Sequence, residues 1–322
     1  MRRGWKLPLA GAALVASLSL AGCAAPAKPV GPAPAAIDPL WTQQMKAARS
    51  AFERGRLESA QRLYQRALDR ARSLDQPGNI ADAAYNLAAC RVALGQAEQA
   101  RPLLGEARAE LERSAGDPAD VLLLEARVAL LLNHPQEATQ LARQLLARHP
   151  PAAAELRLLA HLLLGTLASE RGEPAQAEVE LARAAALEAQ TGDPALRAGL
   201  CELAGRLCLL RGEFARAAAH FDAQAGLLRE ARQPQAMVGA LLEAAGAHQR
   251  AGALDLAAER LYRAARARLG QGNPQAARPL AERALGLASS GGEPQLAAAI
   301  RALLAELPPG GTGGESPRGE AF

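Results

Sequence analysis

Aromatic residues make up only 3% of this 322-residue chain. That scarcity excludes a nucleic-acid reader built on stacking platforms. Lysine is rarer still, confined to Lys6, Lys28 and Lys46. Basic and acidic residues number 37 and 33, and three of the basic ones (Arg2, Arg3 and Lys6) stand in the first 22 positions. From Cys23 onward the balance is 34 to 33, a net charge of +1. A near-neutral chain gives no electrostatic ground for a nucleic-acid partner.

Chemistry-bearing motifs are missing too. The chain has no HExxH, no GxSxG, no CxxC, no Walker loop and no glycine-rich nucleotide fingerprint. His134, His149, His161, His220 and His248 stand apart from one another and from any cysteine or carboxylate cluster at metal-ligand spacing. The chain therefore reads as non-catalytic, with no cofactor and no metal, and His161 in "LLAHLLLG" as a buried or groove histidine. Cysteine is sparse: Cys23, Cys90, Cys201 and Cys208. Cys201 and Cys208 are seven apart on one expected helix, hence ~10 Å along its axis, beyond the ~7 Å that a disulfide tolerates between Cα atoms. Cys90, Cys201 and Cys208 are expected to be free, buried thiols.

The amino-terminal stretch carries a different signal. Arg2, Arg3 and Lys6 precede an apolar run, Leu7 to Leu20, too short for a membrane span of ~20 residues but suited to the core of a signal peptide. An ordinary signal peptide with a chance cysteine is the plain alternative. Arg2-Arg3 is continued by Gly4-Trp5-Lys6, a poor match to twin-arginine export. Leu20-Ala21-Gly22-Cys23 resembles the lipobox of bacterial lipoproteins. The resemblance implies cleavage before Cys23, three acyl chains on that residue (a palmitate-type anchor), and a stable hold on a membrane, because anchoring needs two signals or more. With Ala24 after the cysteine, it implies the outer membrane and its periplasmic side. The expected organisation is a signal peptide over 1–22, a lipidated cysteine with a proline-rich tether over 23–40, a folded region over 41–307 and a disordered tail over 308–322. The five prolines from Pro26 to Pro39 favour an extended spacer with a reach of roughly 50 Å.

The folded region repeats. Gly55, Gly95, Gly172, Gly212 and Gly252 are spaced by 40, 77, 40 and 40, and Asn133 fills the long gap. Glycine and asparagine are the residues that best tolerate a left-handed turn. Five residues after each turn stand Ala60, Ala100, Ala138, Ala177, Ala217 and Ala257. Seven before it stand Ala48, Ala88, Ala126, Gly165, Gly205 and Ala245. Nine after it the residue is bulky (Tyr64, Leu104, Leu181, Phe221, Leu261), with Ala142 the exception. Two antiparallel helices crossing closely need small residues where they touch and a bulky one to plug the next pair. Gly272 follows Gly252 by half a period, so the helix from Leu254 to Leu269 serves two pairs, and a last helix, Glu293 to Leu307, closes the stack.

This pattern, plainest in "LLGTLASERGEPAQAEVELARAA" and "LAGRLCLLRGEFARAAAHFDAQA", resembles the tetratricopeptide repeat. The resemblance implies an all-α, right-handed α-solenoid of six to seven helix pairs, about fourteen helices in all. The beat of about 40 exceeds that family's ~34 residues, and the surplus is expected in longer second helices. Residues ten, six and three before each turn should line a concave groove. Arg49, Phe52, Tyr85, Arg127, Arg206 and Gln249 are the expected partner contacts, with Arg49, Arg127 and Arg206 alternating along the stack to suit a partner rich in acidic groups. The resemblance implies a protein-interaction scaffold in cell-envelope assembly, of the pilus, secretion or barrel-assembly type, with an envelope protein in the groove and no nucleic acid. The alternatives are a non-catalytic adaptor of a peptidoglycan hydrolase or protease, or a solenoid that holds a small ligand.

Overall fold

Residues 38–148 and 151–308 are described by the structure, a computed structural model, and they form fourteen α-helices and no strand. The chain divides into two compact units that meet between Leu196 and Arg197. The first holds α1 (Pro39–Glu53), α2 (Leu57–Ser73), α3 (Pro77–Ala93), α4 (Ala97–Arg113), α5 (Ala119–Leu131), α6 (Pro135–Leu146), α7 (Ala154–Glu170) and α8 (Pro174–Glu188). The helix α9 (Pro194–Leu210) runs through the boundary. The second unit continues with α10 (Phe214–Glu230), α11 (Pro234–Arg250), α12 (Leu254–Gly270), α13 (Pro274–Ser290) and α14 (Pro294–Glu306). Cys23, the tether before Asp38 and the tail beyond Pro308 lie outside the described residues. No described helix is long and apolar enough to cross a membrane.

The turns set the period. All six positions singled out by the repeat, Gly55, Gly95, Asn133, Gly172, Gly212 and Gly252, have positive φ. At Gly95 the amide donates to the Val92 carbonyl (3.0 Å), and the next amide, of Gln96, donates to Arg91 (2.8 Å). This Schellman-type closure satisfies carbonyls that a helix end leaves bare. The same closure recurs between pairs: Asp75 donates to Arg72 and Gln76 to Ala71, with φ +47° at Asp75. A helix of 17 residues plus a three-residue turn gives a 20-residue beat, and two beats give 40. The expectation of longer second helices is thereby corrected. First and second helices α3 and α4 are both 17 residues, as are α11 and α12. Starts are marked by proline at the first position of α1, α3, α6, α8, α11, α13 and α14, where the absent N–H costs no helical bond.

The core follows the phase read from the repeat. Ala60, Ala100, Ala138, Ala177, Ala217 and Ala257 are fully buried, as are Ala48, Ala88, Ala126 and Ala245 opposite them. Tyr64, Leu104, Phe221 and Leu261 are buried plugs. Leu181 is not: it is half-buried, and its neighbour Glu180 turns inward instead. Within the first unit α3 touches α5, and α5 touches α7, so successive first helices lie side by side.

Candidate functional site

Side-by-side first helices leave a groove in the first unit. Trp41, Met45, Arg49 and Phe52 come up one face of α1 at three- to four-residue steps, Asp82, Tyr85, Asn86 and Ala89 do the same on α3, and Asp120 and Val121 close the far side from α5. Tyr64 of α2 and Leu111 of α4 reach in from the second helices. The groove has a volume of ≈ 630 Å³.

The few aromatics of the chain gather here. The described residues include seven (Trp41, Phe52, Tyr64, Tyr85, Phe214, Phe221 and Tyr262), and four of them line this one groove. Tyr64 is a buried plug, and burial pushes its phenol up to about 12. Tyr85 is half-buried. Burial and then the Asp120 carboxylate raise its phenol far above the usual range, against the pull of Arg127. The indole Nε1 of Trp41 is buried and meets no acceptor among the described residues.

Charge is arranged differently from the sequence expectation. Arg49, Phe52 and Tyr85 do face the groove. Arg127 is half-buried near Tyr85 but outside the lining, and loss of solvent lowers its pKa. The lining carries two cations, Lys46 and Arg49, against four carboxylates: Glu53, Asp82, Asp117 and Asp120. Asp117 is held by Arg148 at 2.8 Å. Asp82 and Asp120 have no ion pair or side-chain hydrogen bond among the described residues. Solvent reaches both, yet the crowded walls raise their pKa values by desolvation, with Asp117 adding to the effect at Asp120 and Arg49 opposing it at Asp82. Glu155, on the next first helix α7, is raised by the same cause, with Asp193 and Asp120 adding to it. A groove suited to an acidic partner is thus corrected: its rim along the N-terminal halves of α3 and α5 is acidic. Asp82 and Asp120 stand thirteen residues before their turns, one helical turn beyond the offsets of ten, six and three. Following the same face one step further would have found them.

Arg206 and Gln249 belong to the second unit. Arg206 forms an i,i+4 ion pair with Glu202 at 2.7 Å, and Gln224 donates to the same carboxylate at 3.1 Å. Its charge is met within its own helix, so it is no bare cation. Gln249 accepts from Arg283 at 2.8 Å.

Polar groups elsewhere hold the fold. His161 is buried as expected, but with a partner: its Nδ1 lies 2.7 Å from the buried Glu180, which also takes Gln176 (2.8 Å) and Arg183 (3.2 Å). In the second unit Asp222 joins His248 and Arg260. Among the described residues no three metal-ligating side chains gather. The three cysteines are free, and Cys90 and Cys208 are buried, while Cys201 is half-exposed, against expectation. Cys90 donates to the Leu57 carbonyl, and burial pushes its thiol up to about 11.

No family model matches the chain, and no curated protein does. Solved structures do. A signal-transduction ATPase with numerous domains and a tetratricopeptide-repeat sensor, from Pyrococcus horikoshii, aligns with TM-score 0.61 at 14% identity over 83% of this chain and 41% of its own length. The chain thus spans about two-fifths of that protein. The apo form of RapI aligns with TM-score 0.58 at 12% identity, covering 83% of this chain and 96% of that one. PilW, a type IV pilus biogenesis factor, aligns with TM-score 0.51 at 18% identity over 70% and 91%. Likeness at such identity is likeness of fold, and the fold is the all-α helix-pair array of tetratricopeptide-repeat proteins.

Proposed function

We propose that the chain is a non-catalytic scaffold, tethered to the periplasmic face of the outer membrane through Cys23, that holds an envelope protein in the groove of its first unit. The observation that carries the binding role is the concentration of scarce aromatics in one groove. Trp41, Phe52 and Tyr85 stay partly open to solvent on its walls. Aromatic anchors in a concave site are where binding energy concentrates. The likeness to PilW, named for pilus biogenesis, supports the envelope setting. The lipobox-like Leu20-Ala21-Gly22-Cys23 supports the tether.

Photo-crosslinking in intact cells tests the reading. A photoreactive residue at Phe52 or Asn86 faces the groove; one at Arg62 or Arg66 stands on the exposed face of α2. A discrete protein adduct from the groove positions alone supports the scaffold. Equal adducts from both faces, or none, overturn it. For the tether, Cys23→Ala should abolish acylation and move the protein out of the membrane fraction. Retention of that variant as a processed, acylated protein refutes it.

A further inference from the structure

The occupant's chemistry can be read from the acidic rim, on the reading that the groove binds a protein segment. Asp82 and Asp120 occupy equivalent places on α3 and α5, thirteen residues before Gly95 and Asn133. Helices in contact lie ~10 Å apart, so two carboxylates at the same register are separated by about that distance. Neither is in an ion pair among the described residues, although the charge of Arg49 is felt at Asp82. Tyr85 stands half-buried on α3, one turn along from Asp82, and Trp41, Met45 and Phe52 of α1 line the same groove. Aromatic faces beside carboxylates without an ion pair attract a cation twice over, by the ring's quadrupole and by charge.

We propose that the groove takes a protein segment with two basic side chains, one at Asp82 and one at Asp120, and apolar side chains against Trp41, Phe52 and Tyr85. A spacing of ~10 Å matches residues seven apart on a helix, at about 1.5 Å per residue, which also share one face. The cations of the lining do not contradict this. Arg49 and Lys46 stand on α1, on the opposite wall from Asp120; Arg49 is felt at Asp82 but forms no ion pair with it, and Arg127 is outside the lining. A small cation would meet the carboxylates but leave Trp41 and Phe52 of the far wall uncovered, so a segment with both features fits the whole surface.

Trp41 gives the readout. It and Trp5 are the two tryptophans, so Trp5→Phe in the full chain leaves one reporter on the groove wall. Three blocked synthetic helices serve as probes: one of leucine and arginine with the arginines seven apart, one with glutamate for each arginine, and one with glutamine. Trp41 fluorescence should titrate with the basic probe at least tenfold below the concentration needed for the neutral one, and the acidic probe should be weakest. Asp82→Asn with Asp120→Asn should erase the preference while leaving the helical circular dichroism unchanged. Equal binding of basic and neutral probes, or a basic preference that survives the double variant, overturns the inference and leaves the groove reading standing. Absence of binding by all three probes removes both.

Discussion

A β-carbon placed on Gly205 would lie 2.8 Å from the ring carbons of Phe221, closer than real contacts allow. Phe221, on α10, is buried and cannot swing aside. The glycine on α9 is therefore cut to the ring, nine residues past the Gly212 turn. Helix propensity alone would favour alanine at Gly205 by about 1 kcal/mol. Overpacking of ~1–3 kcal/mol should outweigh it. Gly205→Ala is expected to destabilise by about 1–2 kcal/mol in urea unfolding, and Phe221→Leu added to it should recover part of the loss. Gly246→Ala, where nothing lies within 4 Å of the new carbon, should instead stabilise by up to about 1 kcal/mol. Equal effects at Gly205 and Gly246 would contradict this account of the contact.

Ala115 sits at φ +53° in the turn after α4, where the other turns mostly use glycine. A left-handed alanine costs roughly 1 kcal/mol, and the freer unfolded chain of a glycine variant returns part of that. Ala115→Gly should therefore raise the first unit's stability by about 0.5 kcal/mol, and Gly95→Ala should lower it by about 1 kcal/mol. Thermal or urea unfolding of the two variants checks the opposite signs.

The same turn shows where sequence stops speaking. Glycine announced the turn within each pair, so the 40-residue beat and the phase of the alanines were readable. Three of the turns between pairs have the same geometry but use Asp75, Ala115 and Arg232 in place of glycine, and among the described residues glycine marks only two others, at Gly192 and Gly272. The 20-residue beat is therefore legible only at Gly272, and the equal length of α3 and α4 is not. The groove was half legible. Arg49, Phe52 and Tyr85 follow from helical offsets, but Asp82 and Asp120 stand a turn further, and their lack of partners is a property of packing. Whether an arginine is bare or paired is invisible to spacing, as Arg206 and Glu202 show. Glu180 was missed because it turns inward where Leu181 carried the repeat's bulky position; its reason is His161, 19 residues earlier.

That buried pair makes a prediction of its own. His161 and Glu180 are both nearly inaccessible and 2.7 Å apart. Removing Glu180 leaves the His161 ring buried and unmet, which costs about 1–3 kcal/mol, while apolar replacement of both is close to neutral. Glu180→Leu should destabilise strongly, and His161→Leu with Glu180→Leu should restore most of the loss. A double-mutant cycle in urea measures the coupling. An additive cycle would mean that the pair contributes nothing as a pair.

Asp222 links three helices of the second unit. Its carboxylate accepts from Arg260 Nε at 2.8 Å and NH2 at 2.9 Å, and it lies 3.0 Å from His248 Nε2. Burial pushes its pKa up, but the hydrogen bonds and charges of Arg260 and His248 outweigh this and hold it below the ordinary 3.8. A carboxylate whose pKa falls on folding stabilises the fold at every pH above its unfolded value. That contribution is lost as the pH drops below 3.8 and through the folded value. Asp222→Asn keeps the shape and removes the charge, so it should cost about 1–3 kcal/mol near neutral pH, as for a hydrogen bond to a charged group. The gap between wild type and variant should stay level from pH 7 down to about pH 5, then close as the carboxylate protonates. Arg260→Gln should show the same closing gap, because it removes the other half of the pair. Urea unfolding across this range, followed by circular dichroism, gives the curve. A gap that persists unchanged at pH 3 would assign the effect of Asp222 to packing and not to its charge.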